Sequence, residues 1–216
     1  MDIPSRQVHD RCLVLGQRGL LPSALPYNLS ISHRYQFLWF RVAKVGTRSI
    51  LRQFEDHDVP LDVQHAMWIH YPTTLFKDYF KFAFVRHPWG RLLSCWRNKV
   101  HETNHFGFDP TTHRQMQELG NFVDWVQRQD LRDCDHHICL QSRLIDLTQV
   151  DFLGRLESFE ADFMRICETL GIRCSGVRIE NETKKAPEHD QRLQREFGDR
   201  ICRIYERDCQ IFGYGP

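Results

Sequence analysis

The chain has 216 residues, 41% hydrophobic and 26% charged, enough to bury a full core in a single domain spanning 1–216. Its 29 Lys and Arg against 28 Asp and Glu leave a formal net charge of +1, which argues against a general nucleic-acid or membrane-surface binder; a local basic pocket for an anion needs only a few residues. No run of about 20 apolar residues occurs, so no membrane span is expected, and Cys12-Leu-Val-Leu15 is too short for a signal-peptide core.

In chain order, residues 1–35 form a polar lead in which Pro22 and Pro26 predict an extended arm or loop. Phe37-Leu-Trp-Phe-Arg-Val-Ala43 reads as a buried strand and runs into Lys44-Val-Gly-Thr-Arg-Ser49, with a helix beginning near Ile50. Lys81 to Val85 is a second strand, and Pro88 suits the first turn of a helix reaching about Glu102. On that helix Trp89, Leu92, Leu93 and Trp96 make the apolar stripe, leaving Arg91, Ser94 and Arg97 to face a polar ligand or water. His105 to Pro110 breaks regular structure and is a candidate acceptor entrance, with a plain surface loop as the alternative. Arg114 to Gln129 resumes a helical pattern, and Glu188 to Ile211 carries another. Alternating strands and helices predict an α/β fold with a central parallel sheet flanked by helices.

Two segments carry chemistry. Strand, glycine-containing turn and helix start at 44–49 make an anion cradle, because helix N-terminal amides lack intrahelical partners and carry partial positive charge. Gly46 allows close backbone approach. The order differs from a Walker A loop, since Lys44 precedes the glycine and the second glycine is missing. At the end of the second strand, Arg86 offers a guanidinium fork that matches phosphate oxygens bidentately.

Together these segments resemble the sulfotransferases that use 3′-phosphoadenosine 5′-phosphosulfate (PAPS), in the branch that contains the carbohydrate sulfotransferases. The family loop P-K-x-G-x-T-S is matched by Lys44, Gly46, Thr47 and Ser49, with Ala43 in place of proline and Arg48 where a small hydroxyl residue is common. The motif F-V-R-x-P-x-x-R-L-x-S is matched by Phe84, Val85, Arg86, Pro88, Arg91, Leu92 and Ser94. Three further echoes follow: His137 to Gln141 is similar to H-x-x-P-Q with Leu140 for proline, Asp151 to Glu157 is similar to a strand ending G-R-x-E, and Asn181-Glu-Thr183 with Ile204 to Asp208 and Phe212-Gly-Tyr214 is similar to the C-terminal signature. The resemblance implies a three-layer P-loop-like fold. It implies that Lys44, Val45, Gly46, Thr47, Arg48 and Ser49 hold the 5′-phosphosulfate and that Arg86 and Ser94 hold the 3′-phosphate. It further implies a glycan or small-molecule alcohol as acceptor, with neither nucleic acid nor metal required.

In-line sulfuryl transfer needs charge neutralised on the leaving phosphate and a base on the acceptor. Lys44 is the candidate for the first task. Among 12 histidines, His65 is preferred as base, read as following a strand and preceding an acceptor-side helix; His70 is second, and His87 is a cofactor neighbour. Cys134, His136, His137 and Cys139 match no usual zinc spacing, and Asp133-Cys-Asp135 alone is a weak mimic of a glycosyltransferase D-x-D. Eight cysteines without a secreted-scaffold pattern predict reduced, mostly core thiols. The expected location is the cytoplasm of a bacterial-type enzyme, or the Golgi lumen if a membrane anchor has been removed. Two alternatives stay open: a P-loop-type phosphotransferase needing ATP and Mg²⁺, and a nucleotide-binding protein without catalysis, to which Ala43, Arg48 and Leu140 point.

Overall fold

The computed structural model describes residues 22–174 and 187–215. They form two compact units, one from residues 22–85 and 144–174, the other from 86–143 and 187–215.

The first unit is built on a five-stranded sheet: β1 (Tyr27–Ser32), β2 (Phe37–Phe40), β3 (Val63–Ile69), β4 (Phe80–Val85) and β5 (Phe152–Arg155), in the order β3-β1-β2-β4-β5. The sheet is mixed, which corrects the expected parallel sheet. β2, β4 and β5 run parallel, but β1 is antiparallel to both β2 and β3. The difference comes from the N-terminal stretch. Tyr27, Leu29 and Ile31 alternate with polar residues at the strand period of two, and all six residues of β1 are buried. Part of the expected arm is therefore an inner strand, joined to β2 by the short turn 33–36 that only an antiparallel pair allows.

Two helices of this unit, α1 (Thr47–Asp56) and α5 (Phe159–Leu170), pack on one sheet face. Phe54 of α1 stacks on Phe37 with ring centroids 5.2 Å apart and meets Phe163 of α5 at 5.6 Å, while Phe159 meets Phe84 at 5.3 Å. Each such aromatic pair adds about 1 kcal/mol beyond area burial. α5 ends at Gly171 in the left-handed conformation, and the returning chain pairs Cys174 with Cys167 in a disulfide. This pair corrects the expectation of reduced thiols throughout; a helix that turns back on itself brings cysteines seven apart within bridging distance, their Cα atoms 6.2 Å apart.

The second unit is helical: α2 (Pro88–Trp96), continued by a π-helical turn at Arg97–His101, then α3 (Pro110–Met116), α4 (Leu119–Gln127), α6 (Pro187–Ile204) and α7 (Glu206–Phe212). Both long helices expected at 114–129 and 188–211 are broken in two. Its core joins Leu92, Leu93 and Trp96 of α2 to Phe122, Val123 and Val126 of α4 and Ile201 of α6. Among the described residues no helix is long and apolar enough to cross a membrane. The Asn181–Thr183 echo lies outside the described residues.

Candidate active site

The loop between β2 and α1 is anchored before it is functional. Val42 and Val45 are 1% and 0% exposed, and the Thr47 hydroxyl donates to the Val42 carbonyl at 3.1 Å, closing the loop on itself. Lys44 takes φ 69° and Gly46 φ 83°. A left-handed lysine costs about 1 kcal/mol, so the surrounding contacts hold the lysine where relaxed backbone would not. Gly46 is required twice over, since a Cβ there would also lie 2.7 Å from Leu156 Cδ1. Gly46 is the N-cap of α1, no side chain caps this helix, and its first turn holds no acidic residue. The start of α1 therefore presents amides and the positive end of the dipole for an anion. Arg48 is exposed in this turn, whereas Ser49 is buried at 1%.

Strand direction places the two candidate histidines differently. β3 runs the same way as β2, so Ile69 and Phe40 end at the same edge of the sheet, where the Lys44 loop begins. Ala66 is level with Leu29, which pairs with Phe40; Ile69 pairs with Tyr27, two residues further out. His70 therefore stands beyond the strand ends, level with the loop. His65 lies inside β3, and no helix follows it before β4, which corrects the expected acceptor-side helix. His70 Nδ1 lies 2.7 Å from the Ser23 carbonyl. A carbonyl only accepts, so Nδ1 carries the proton and Nε2 of the neutral ring keeps its lone pair. Ser23 is itself fixed by Tyr71, whose carbonyl accepts from Ser23 N at 2.8 Å and whose amide donates to Ser23 Oγ at 3.1 Å.

In the second unit, Arg86, Gly90 and Ser94 are four apart, which stacks them on one side of α2 and the residue leading into it. Gly90 is the floor of this site: a Cβ there would lie 3.0 Å from Arg86 Nε and 3.4 Å from Nη2, so the guanidinium rests where a side chain would be. The Arg86 backbone is clasped by the fully buried Gln141, whose Oε1 accepts from Arg86 N at 2.9 Å and whose Nε2 donates to Arg86 O at 2.8 Å. Asp208 in turn accepts from the amides of Gln141 and Ser142 at 2.7 and 3.0 Å, and the Tyr205 hydroxyl donates to the Ile138 carbonyl at 2.5 Å. Tyr205 and Asp208 thus support the segment that holds Arg86. Their place was visible in the sequence only as a C-terminal echo.

Of the basic residues read as facing ligand or water, Arg91 does not, and Arg97 is half-buried in an ion pair. Arg91 is 2% exposed, and its guanidinium donates to the carbonyls of Cys139 and His136 at 2.7 and 2.9 Å. A planar five-donor fork suits this bracing of a loop as well as it suits phosphate. Arg97 pairs with Asp190 of α6. His87 caps α2, its Nδ1 accepting from Trp89 N at 3.2 Å, and its Nε2 donates to the Gly215 carbonyl at 3.0 Å. Burial pushes the Cys134 and Cys139 thiols up to about 12 and 11.

A sequence model of the sulfotransferase family matches residues 27–215. The chain is also similar to carbohydrate sulfotransferase 14 of Mus musculus and of Homo sapiens, each 27% identical over 187 residues that cover 72% of this chain and 49% of the relative. It spans about half the length of these curated relatives. No solved structure gives a significant match.

Proposed function

The chain belongs to the sulfotransferase family, and from that premise we propose that it moves a sulfuryl group from PAPS to a hydroxyl of a carbohydrate or related acceptor by in-line displacement. The observation that carries the reading is the uncapped N-terminus of α1 behind a left-handed Lys44 and Gly46, a site for an anionic group formed by backbone. In this reading the fold is a variant of the three-layer P-loop-like arrangement. The loop 44–49 holds the 5′-phosphosulfate, and Arg86 with Ser94 holds the 3′-phosphate, as the family motifs assign them.

Lys44 stabilises charge on the phosphate oxygen as the S–O bond to it breaks. The acceptor hydroxyl forms the new S–O bond and gives its proton to Nε2 of His70, which replaces His65 as the preferred base on topology and tautomer. A glycan acceptor follows the names of the relatives. The Cys167–Cys174 disulfide favours an oxidising compartment such as the Golgi lumen over the cytoplasm.

The test is calorimetric titration of the chain with adenosine 3′,5′-bisphosphate and, separately, with ATP and Mg²⁺. Tight bisphosphate binding without ATP binding supports the donor assignment. Selective ATP binding would move the chain to phosphoryl transfer, and bisphosphate binding without turnover on any glycan would leave a binding protein.

A further inference from the structure

Outside the proposed donor site, the second unit brings His105 against Asp135, 30 residues on in the chain, and His137, two residues further. His105 Nε2 is 3.0 Å from Asp135 Oδ2, and His137 Nδ1 is 2.8 Å from Asp135 Oδ1. The imidazole centroids of His105 and His137 are 4.6 Å apart, and one ligand atom from each of the three residues lies within 4.8 Å of the others. We propose that His105, Asp135 and His137 form a site for one divalent transition-metal ion of the zinc class.

The donor set selects the ion. Two imidazole nitrogens and one carboxylate oxygen suit Zn²⁺ or Co²⁺, whereas Ca²⁺ wants six or more oxygens and Mg²⁺ an octahedral oxygen shell. Three protein ligands leave a position for water. In the present arrangement both imidazoles donate to the carboxylate; ligation moves each neutral ring's proton to its other nitrogen, with no change in net charge.

The ligands are held from behind, which lowers the cost of closing on an ion. The Asp135 carbonyl accepts from the amides of Ile138 and Cys139, both at 2.9 Å, and its Oδ1 also accepts from His137 N at 2.8 Å. On the other side, His105 N donates to the Lys99 carbonyl at 3.0 Å, and Asn104 brackets Phe108 with bonds of 2.7 and 3.0 Å. Phe106, next to the ligand, packs on Phe122 and Trp125 with centroids 5.8 and 5.0 Å away. An ion in this position would clip loop 104–108 to the segment that Gln141 continues. The charge of Lys99 acts on His137 and opposes a cation, which sets the affinity below that of closed four-ligand sites.

The proposal concerns ion binding, so its test reads metal and not activity. The chelator-treated full chain is titrated by calorimetry with Zn²⁺, Co²⁺ and Mg²⁺, and the visible absorption of Co²⁺ reports the ligand field. One Zn²⁺ or Co²⁺ should bind per chain with micromolar affinity, Mg²⁺ should not bind, and His105→Ala and Asp135→Asn should each weaken Zn²⁺ binding by about tenfold or more. His136→Ala, adjacent to the site but outside the ligand set, should leave the affinity unchanged. His105 is exposed, so its variant should keep its fold, which a melting curve verifies. Absence of Zn²⁺ binding by the wild-type chain overturns the proposal; so does binding of equal strength in the two ligand variants, which would place the ion on other groups such as the free cysteines.

Discussion

Under the proposed function, the two units offer an anion different means of binding. In the first, backbone does the work: the loop 44–49 offers helix-start amides shaped by positive φ at Lys44 and Gly46, and Thr47 spends its hydroxyl on the Val42 carbonyl. In the second, a side chain does it: Arg86 lies over Gly90, and Gln141, Asp208 and Tyr205 hold its backbone from behind. A backbone cradle is sensitive to any change of conformation and indifferent to most side chains. A side-chain site depends on the charged group and on the space kept open beneath it.

Variants can break or sharpen this contrast. Lys44→Ala should have the largest effect, lowering turnover by about 10²–10³ with a smaller change in bisphosphate affinity, since the ammonium acts on charge that develops during transfer; steady-state rates beside calorimetry separate the two, and unchanged turnover would remove the leaving-group role. His70→Ala should lower turnover by about 10² and His65→Ala far less; the reverse order would return the base to the strand interior. Arg86→Ala should weaken adenosine 3′,5′-bisphosphate by about 30-fold, in line with roughly 2 kcal/mol for a charge-assisted contact, while leaving the 5′-monophosphate unaffected. Equal losses on both ligands would dissociate Arg86 from the 3′-phosphate.

The two glycines test the contrast most directly. Gly46→Ala should cost about 1–3 kcal/mol of stability in urea unfolding, because both φ and the contact with Leu156 resist a Cβ. Gly90→Ala should do the opposite to stability, gaining up to about 1 kcal/mol from helix propensity, and still reduce bisphosphate affinity several-fold by displacing the Arg86 guanidinium. A Gly90→Ala variant with full affinity would show that the guanidinium does not need its present position.

Much of the architecture near the motifs was legible. The strands expected at 37–43, which ends early at Phe40, and at 81–85, the helix opened by Pro88 and the strand ahead of Phe159 all form, because each is set by local periodicity and by proline and glycine. β1 was legible too in its alternating pattern, but the neighbouring prolines drew the reading toward a loop. What periodicity could not show is how long helices end. Tyr205 interrupts the 187–212 helical stretch and sends its hydroxyl to Ile138, a partner 67 positions away.

Site residues divide along the same line. Lys44, Gly46, Arg86 and Ser94 were singled out because the chemistry of an anion demands such residues at a strand end or helix start, and short motifs hold them together. Arg91 was misread, since a helical wheel marks an arginine as outward and cannot tell that two carbonyls from 136 and 139 will receive its fork. The proposal of His70 over His65 rests on strand direction and a carbonyl 47 positions upstream. The approach of His105 to Asp135 had no local signal at all.

The sequence by itself determined the family and most element types, because these depend on spacings of a few residues. Only the tertiary structure decided the mixed sheet, the hydrogen-bond network behind Arg86, the position of His70 beyond the strand ends and the His105–Asp135–His137 cluster. Each of those rests on hydrogen bonds or strand pairings across tens of residues, where the partner is chosen by how the chain returns and not by what stands next to it.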